Sequence, residues 1–205
     1  TEKGGVSINY RQRQAEATKQ LLFDKSIELF KTKGYENVSV EDIVRAAQTS
    51  RACFYTYFKN KDDDLITYVH INDESYLKFY QNTLCSKVFS NKDGIEKLKA
   101  LLNYAIDLLT SNGAHLLHLY FIALIKDPPL SSNRERHFFH IMRVLFDEAS
   151  QESVVKDGLT FDAFQEMALW VLRGTCFNWA GSDGTLPLQH QHAIIEQFIN
   201  CIRKS

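Results

Sequence analysis

An all-α fold is what this chain predicts, and three observations carry it. Only three prolines and nine glycines interrupt 205 residues, too few breakers for the turns that many short strands would need. Apolar residues recur three and four apart over most of the length, the period of one helix face. Ser39, Ser50, Asp93 and Thr160 stand just before such stretches, where a side-chain oxygen caps free amides. The expected architecture is a three-helix helix-turn-helix unit followed by a larger helical bundle, about nine helices in total.

Residues 1–10, "TEKGGVSINY", lack apolar periodicity and are read as a flexible tail. From Arg11 to Lys33 the pattern is one helix with Phe23, Ile27 and Phe30 on a common face, closed by Gly34. In "SVEDIVRAA" Ser39 and Asp42 have capping-box spacing, and a helix of about two turns follows. Ser50 then opens a third short helix reaching about Phe58. Helices this short are stable only when packed on one another. Asp62, Asp63 and Asp64 suit the first turn of a fourth helix, where the macrodipole favours carboxylates. Its pattern continues through Leu65, Val69, Tyr76 and Phe79 towards Phe89. Further helices are expected at about 93–111, 113–126 (up to "DPP"), 131–152, 160–180 and 187–203. The domains so defined are 1–10, 11–61 and 62–205.

Charge separates the two larger segments. Residues 10–61 hold ten Lys and Arg against six Asp and Glu, whereas 62–205 hold thirteen against eighteen. Contact with phosphate, if any, therefore belongs to the N-terminal quarter. Four well-separated cysteines without a CxxC pair, and no apolar run of roughly 18 residues, give the expectation of a reduced cytoplasmic protein without a membrane partner. No GxSxG, HExxH or glycine-rich phosphate loop occurs, so no enzyme is expected. His115/His118 and His137/His140 have i, i+3 spacing, but no cysteine or carboxylate shares it; neither metal nor cofactor is expected.

At about 100° per residue, the stretch "SRACFYTYF" divides its rings between two faces. Phe54 and Phe58 fall together and can be buried against Phe30, Val40 and Ile43, holding the third helix across the second. The other face carries small or hydrogen-bonding groups, with Arg51 near its start, the residue suited to a bidentate contact with guanine. Tyr55, Tyr57, Lys59 and Lys61 have the reach for phosphate oxygens, which set position and not sequence.

The train "ELFKTKGYENVSVEDIVRAA" from Glu28 to Ala47, then Ser50, then "FYTYFKNKDD" from Phe54 to Asp63 resembles the tetracycline-repressor (TetR) family of bacterial transcription regulators. The resemblance covers about residues 20–70. It implies a homodimer that sets two recognition helices in successive major grooves of a palindromic operator and responds to a small-molecule effector through the fourth helix, most often as a repressor. It also implies that Ser39 meets phosphate, that Thr49, Ser50, Arg51, Ala52 and Cys53 open the recognition helix, that Tyr55, Thr56 and Tyr57 form its contacting middle, and that Lys59 and Lys61 are the basic residues after it. Three positions depart from the pattern. Gln48 stands where the family commonly has Gly, Thr56 where it often has an aromatic residue or His, and the third acidic residue of "KDDDLI" where it has Leu. A helical carrier or protein-interaction module with a purely structural helix-turn-helix is the alternative, supported by Gln48 and the net charge of −1.

The remainder would be the sensing and dimer-forming part. Tyr76, Phe79, Tyr80, Tyr104, Tyr120, Phe121, Phe138 and Trp170 are the candidate pocket residues, and rings without an obvious fixed charge suggest an apolar or aromatic ligand. The stripes Phe161, Phe164, Met167, Ala168, Leu172, Thr175 and Ile194, Ile195, Phe198, Ile199, Ile202 on the last two helices either meet a second copy or pack within the chain. Gly174 would let two helices approach.

Overall fold

The computed structural model describes residues 3–61, 72–126 and 133–204. The chain divides into two compact units, Thr1–Tyr68 and Val69–Ser205. Asp62, Asp63, Asp64, Leu65 and Val69, expected to open the fourth helix, lie outside the described residues, as does "DPP" after the sixth. Among the described residues there are nine helices and no strand, only an isolated antiparallel bridge between Val155 and Arg203. No single helix among them is long and apolar enough to cross a membrane.

In the first unit α1 spans Lys3–Lys33. It extends eight residues before the expected start; no proline precedes Arg11, and glycines weaken a helix without stopping it. Its inner face buries Leu22, Phe23, Ser26, Ile27 and Phe30. Ser26 is tolerated there because its hydroxyl donates to the Leu22 carbonyl at 2.9 Å. Gly34, at φ 79°, ends the helix, and a 3-10 turn at Tyr35–Asn37 leads to α2 (Val40–Ala46) and α3 (Arg51–Tyr57). Phe30, Ile43, Phe54 and Phe58 form the fully buried centre.

In the second unit α4 covers residues 72–79 and widens into a π-helical turn at Tyr80–Leu84. The expected continuation to Phe89 stops there. Ser86 turns its hydroxyl back onto the Thr83 carbonyl at 2.6 Å and caps a separate 3-10 turn at Lys87–Phe89, the local bonding by which serine competes with helix. Then come α5 (Gly94–Thr110), α6 (Ala114–Lys126), α7 (His137–Gln151), α8 (Phe161–Gly181) and α9 (Leu188–Ile202). Helix α5 is central, packing against α7, α8 and α9, with Ile95, Leu98, Leu101, Leu102, Ala105 and Ile106 buried. Its first residue is Gly94 because a Cβ there would sit 2.7 Å from the Leu145 carbonyl oxygen of α7. Stacked rings of Phe146, Phe164 and Phe198, with centroids 5.0 and 5.9 Å apart, run through α7, α8 and α9.

That ladder decides the two stripes. Phe161, Phe164, Ala168, Leu172 and Thr175, with Ile195, Phe198, Ile199 and Ile202, are buried within the unit. Periodicity finds an apolar face and leaves its partner open; here the partner is the same chain. The exposed apolar residues of these helices are instead Trp170, at 71% exposure, Phe177, at 64%, and Ile194, and a Cβ at Gly174 would meet nothing within 4 Å.

Candidate DNA interface and effector cavity

Both ends of the α2–α3 element are fixed by bonds that its sequence dictates. Ser39 and Asp42 form a reciprocal capping box: the Ser39 amide donates to Asp42 Oδ2 at 3.0 Å and the Asp42 amide to Ser39 Oγ at 3.2 Å. The Ser39 hydroxyl also donates to Asp42, at 2.6 Å, and this bond, followed by the one from the Ser39 amide, holds the Asp42 carboxyl below the ordinary range. A phosphate contact from the exposed Ser39 would require that hydroxyl to turn away from Asp42.

At the other end of α2 the Gln48 amide donates to the Arg45 carbonyl at 3.2 Å and the Thr49 amide to the Val44 carbonyl at 2.9 Å. These are the two bonds of a Schellman motif, and they put Gln48 at φ 53°. The departure from glycine thus leaves the turn intact and loads it with strain. Two residues later the Ser50 hydroxyl accepts the Cys53 amide at 3.1 Å and starts α3. The Thr49 hydroxyl is buried without a hydrogen-bond partner.

On α3 and just after it, Arg51, Ala52, Tyr55, Thr56 and Lys59 are exposed, while Cys53, Tyr57 and Lys61 are half-buried. The expected division of faces is the one observed. The guanidinium of Arg51 lies 2.6 Å from a Glu41 carboxylate oxygen on α2; Tyr55 and then Glu41 raise its pKa further. Thr56 donates to the Ala52 carbonyl at 2.9 Å, which leaves its methyl and its lone pairs outward. Lys61 turns inward: Nζ donates to the Tyr35 carbonyl at 2.8 Å and sits 3.9 Å from the centre of the Tyr35 ring. It braces the α1–α2 connection, with the other ammonium protons available.

The second unit has a partly open cavity, with about 480 Å³ of empty space when the adjoining solvent is included. It is lined by Leu109 of α5, Tyr120, Phe121 and Leu124 of α6, Arg136, Phe138 and Phe139 at the start of α7, and Leu169, Leu172, Arg173 and Cys176 of α8. Three of the eight candidate pocket residues, Tyr120, Phe121 and Phe138, meet there. Tyr76 stands behind the wall, its ring 4.8 Å from Phe138. Phe79 and Tyr104 stack on each other at 4.0 Å, and Tyr80 opens the π-helical turn; none of the three lines the cavity. Trp170 projects from the outer face of α8.

Burial raises the pKa of Tyr76 well above the ordinary phenol value and raises that of Tyr120, so both hydroxyls stay neutral. The Cys176 thiol is pushed up to about 12 by the same cause and is therefore inert to ordinary oxidants. Two lining residues are cationic and were not expected. Arg136 could not be singled out within "SSNRERHFF". Arg173 left a signal: Leu169, Leu172, Arg173 and Cys176 share one helical face, so a cation interrupts an apolar stripe. Among the described residues no group of three His, Cys, Asp or Glu is placed to hold a metal.

The capped α2–α3 pair on α1, with no strand among the described residues, defines a helix-turn-helix protein. Residues 22–64 match the bacterial regulatory proteins of the tetR family. Over 114 residues the chain is 31% identical to the HTH-type transcriptional regulator YwcC of Bacillus subtilis (strain 168), a match covering 56% of this chain and 47% of that protein. The chain thus spans less than half of that relative. The fold is shared with the fatty acid degradation regulator FadR of Bacillus halodurans, at a TM-score of 0.72 and 20% identity over 88% of this chain and 93% of that one. FadR of Bacillus subtilis, solved in complex with stearoyl-CoA, superposes with a TM-score of 0.67 and 20% identity over 89% and 98% of the two chains.

Proposed function

We propose that this chain is a ligand-responsive transcription regulator, acting as a repressor: a homodimer that binds a palindromic operator through α2 and α3 and releases it when a small molecule occupies the cavity of the second unit. One observation carries the reading. Helix α3 is locked by a cap at its start and by Phe54 and Phe58 beneath it, and it turns Arg51, Ala52, Tyr55 and Thr56 to solvent. A rigid helix offering an arginine beside small and hydroxyl groups suits direct reading of the major groove. Ser39, Tyr57, Lys59 and Lys61 flank it as phosphate contacts. The exposed Trp170, Phe177 and Ile194 on α8 and α9 support dimerisation through the last two helices. No residue set for covalent catalysis is invoked.

The test is a gel-retardation titration with DNA from the protein's own promoter region. A palindromic fragment should be retained, with affinity falling steeply as salt rises. Arg51→Ala should cost about 1–3 kcal/mol at particular base pairs and relax preference there. Equal retention of random DNA, or unchanged preference in Arg51→Ala, would rule the reading out.

A further inference from the structure

The effector cavity is not electrically neutral, and its charge selects a ligand class. Among its described lining residues are two guanidinium groups, Arg136 and Arg173, and no carboxylate. The Arg136 side chain is only 9% exposed, yet its Nε has no hydrogen-bond partner. A buried cation with an unmet donor is costly unless an anion completes it.

Among the described residues the carboxylate beside Arg136 is Asp73, which pairs with it in charge but leaves its Nε donor unmet. Its Oδ2 accepts the His137 amide at 2.8 Å and its Oδ1 the Phe138 amide at 3.1 Å, so it is committed to the α7 N-terminus. Arg136 Nε lies 3.6 Å from Oδ1, beyond hydrogen-bond range. Because Asp73 holds those amides, an incoming anion finds the guanidinium and not the helix end. Beside Arg136 stands Tyr120, a neutral phenol whose oxygen accepts from the guanidinium; the remaining wall is aliphatic and aromatic apart from the Cys176 thiol and the exposed Arg173.

We infer that the cavity takes an amphipathic carboxylate, its head on the planar fork of Arg136 with Arg173 at the opening and its tail among Leu109, Leu124, Leu169 and Leu172. Guanidinium and carboxylate match in a bidentate pair, and exclusion of water strengthens it. A larger polyanionic head would need more donors than this wall offers. The inference rests on the reading of the cavity as the effector site, and replaces a purely apolar ligand by one with a fixed negative head.

Binding is measured on the full chain without DNA, by calorimetry and thermal shift. The probes are straight-chain alkanoates from hexanoate to tetradecanoate and hydrocinnamate, each against the alcohol of equal length and against decanoyl-CoA. At least one acid should bind about tenfold or more tighter than its alcohol. Arg136→Leu should remove that preference while leaving alcohol binding, and Arg136→Lys should keep part of it. Parity of every acid with its alcohol, or tight binding of decanoyl-CoA with none of decanoate, overturns the inference, and neither result depends on a variant folding. DNA release is assayed separately. Operator binding without acid preference sinks only this inference, whereas acid preference without specific DNA binding sinks only the regulator reading.

Discussion

Arg51 and Glu41 face each other across the α2–α3 turn with 2.6 Å between guanidinium nitrogen and carboxylate oxygen, and both side chains are about half exposed or more. The contact occupies the arginine best placed to read a base. An exposed pair of this kind adds little to stability and is screened by salt, so DNA can displace it cheaply. Its carboxylate also repels phosphate. Glu41→Gln should therefore tighten operator binding, by about fivefold at most, with thermal stability nearly unchanged. Titration by fluorescence anisotropy at fixed salt checks this. Weaker binding would mean that Glu41 pre-positions Arg51 for the base and does not compete with it.

Among the described residues of the first unit, Gln48 carries the only positive φ outside glycine. The Schellman bonds around it force that conformation, and a side chain in the left-handed region costs roughly 1–2 kcal/mol against glycine, part of which returns through the greater freedom of glycine in the unfolded chain. Gln48→Gly should raise stability by about 0.5–1 kcal/mol. Chemical denaturation followed by circular dichroism reads the change. A loss of stability would show that the Gln48 side chain contributes more than its backbone strain removes.

How much of this was legible in the sequence follows the distance over which each feature is decided. The Ser39–Asp42 box, the Ser50, Asp93 and Thr160 caps and the two-faced α3 depend on residues three or four apart, and all are read directly. The helical stripe of α8 was equally visible, yet whether Phe164 met a second copy or Phe146 and Phe198 depended on partners far along the chain. Ring content alone grouped Phe79, Tyr80, Tyr104 and Trp170 with the cavity. The fold instead spends Phe79 and Tyr104 on each other and turns Trp170 outward. Arg136 acquires meaning only when Asp73, distant in sequence, takes the α7 amides away from any other anion.

Asp93 joins the start of α5 to the chain's last residues. Its oxygens accept the Glu96 amide at 2.8 Å and two bonds from Arg203 at 2.8 and 3.2 Å. Burial pushes its pKa up, but the Arg203 and Glu96 bonds outweigh it, and the native value lies below the ordinary 3.8. With the folded pKa depressed, the stabilisation is present at neutral pH and lost as pH falls from the unfolded value through the native one. Melting temperature should therefore drop below about pH 4. Asp93→Asn should lower stability at pH 7 by about 1.5 kcal/mol and flatten that acid limb. An acid limb identical in the variant would assign it to other carboxylates, Asp42 first among them.

Trp170 and Gly174 stand one helical turn apart on the outer face of α8. Trp170 is 71% exposed and Gly174 has open space where a side chain would be; Phe177, at 64%, continues the face. Large exposed rings beside a glycine give a second helix both apolar area and room for close approach, and a central tryptophan of an interface commonly carries about 2–4 kcal/mol. Trp170→Ala should weaken self-association by about thirtyfold or more. Because the ring contributes little to the fold of its own chain, melting of the monomer should stay within about 0.5 kcal/mol of the parent. Phe177 is the less clean probe, since its ring lies 6.2 Å from that of Phe121 on the cavity wall. Sedimentation velocity over a dilution series separates the two effects. A Trp170→Ala protein that sediments as the parent does at every concentration would move the interface off this face of α8.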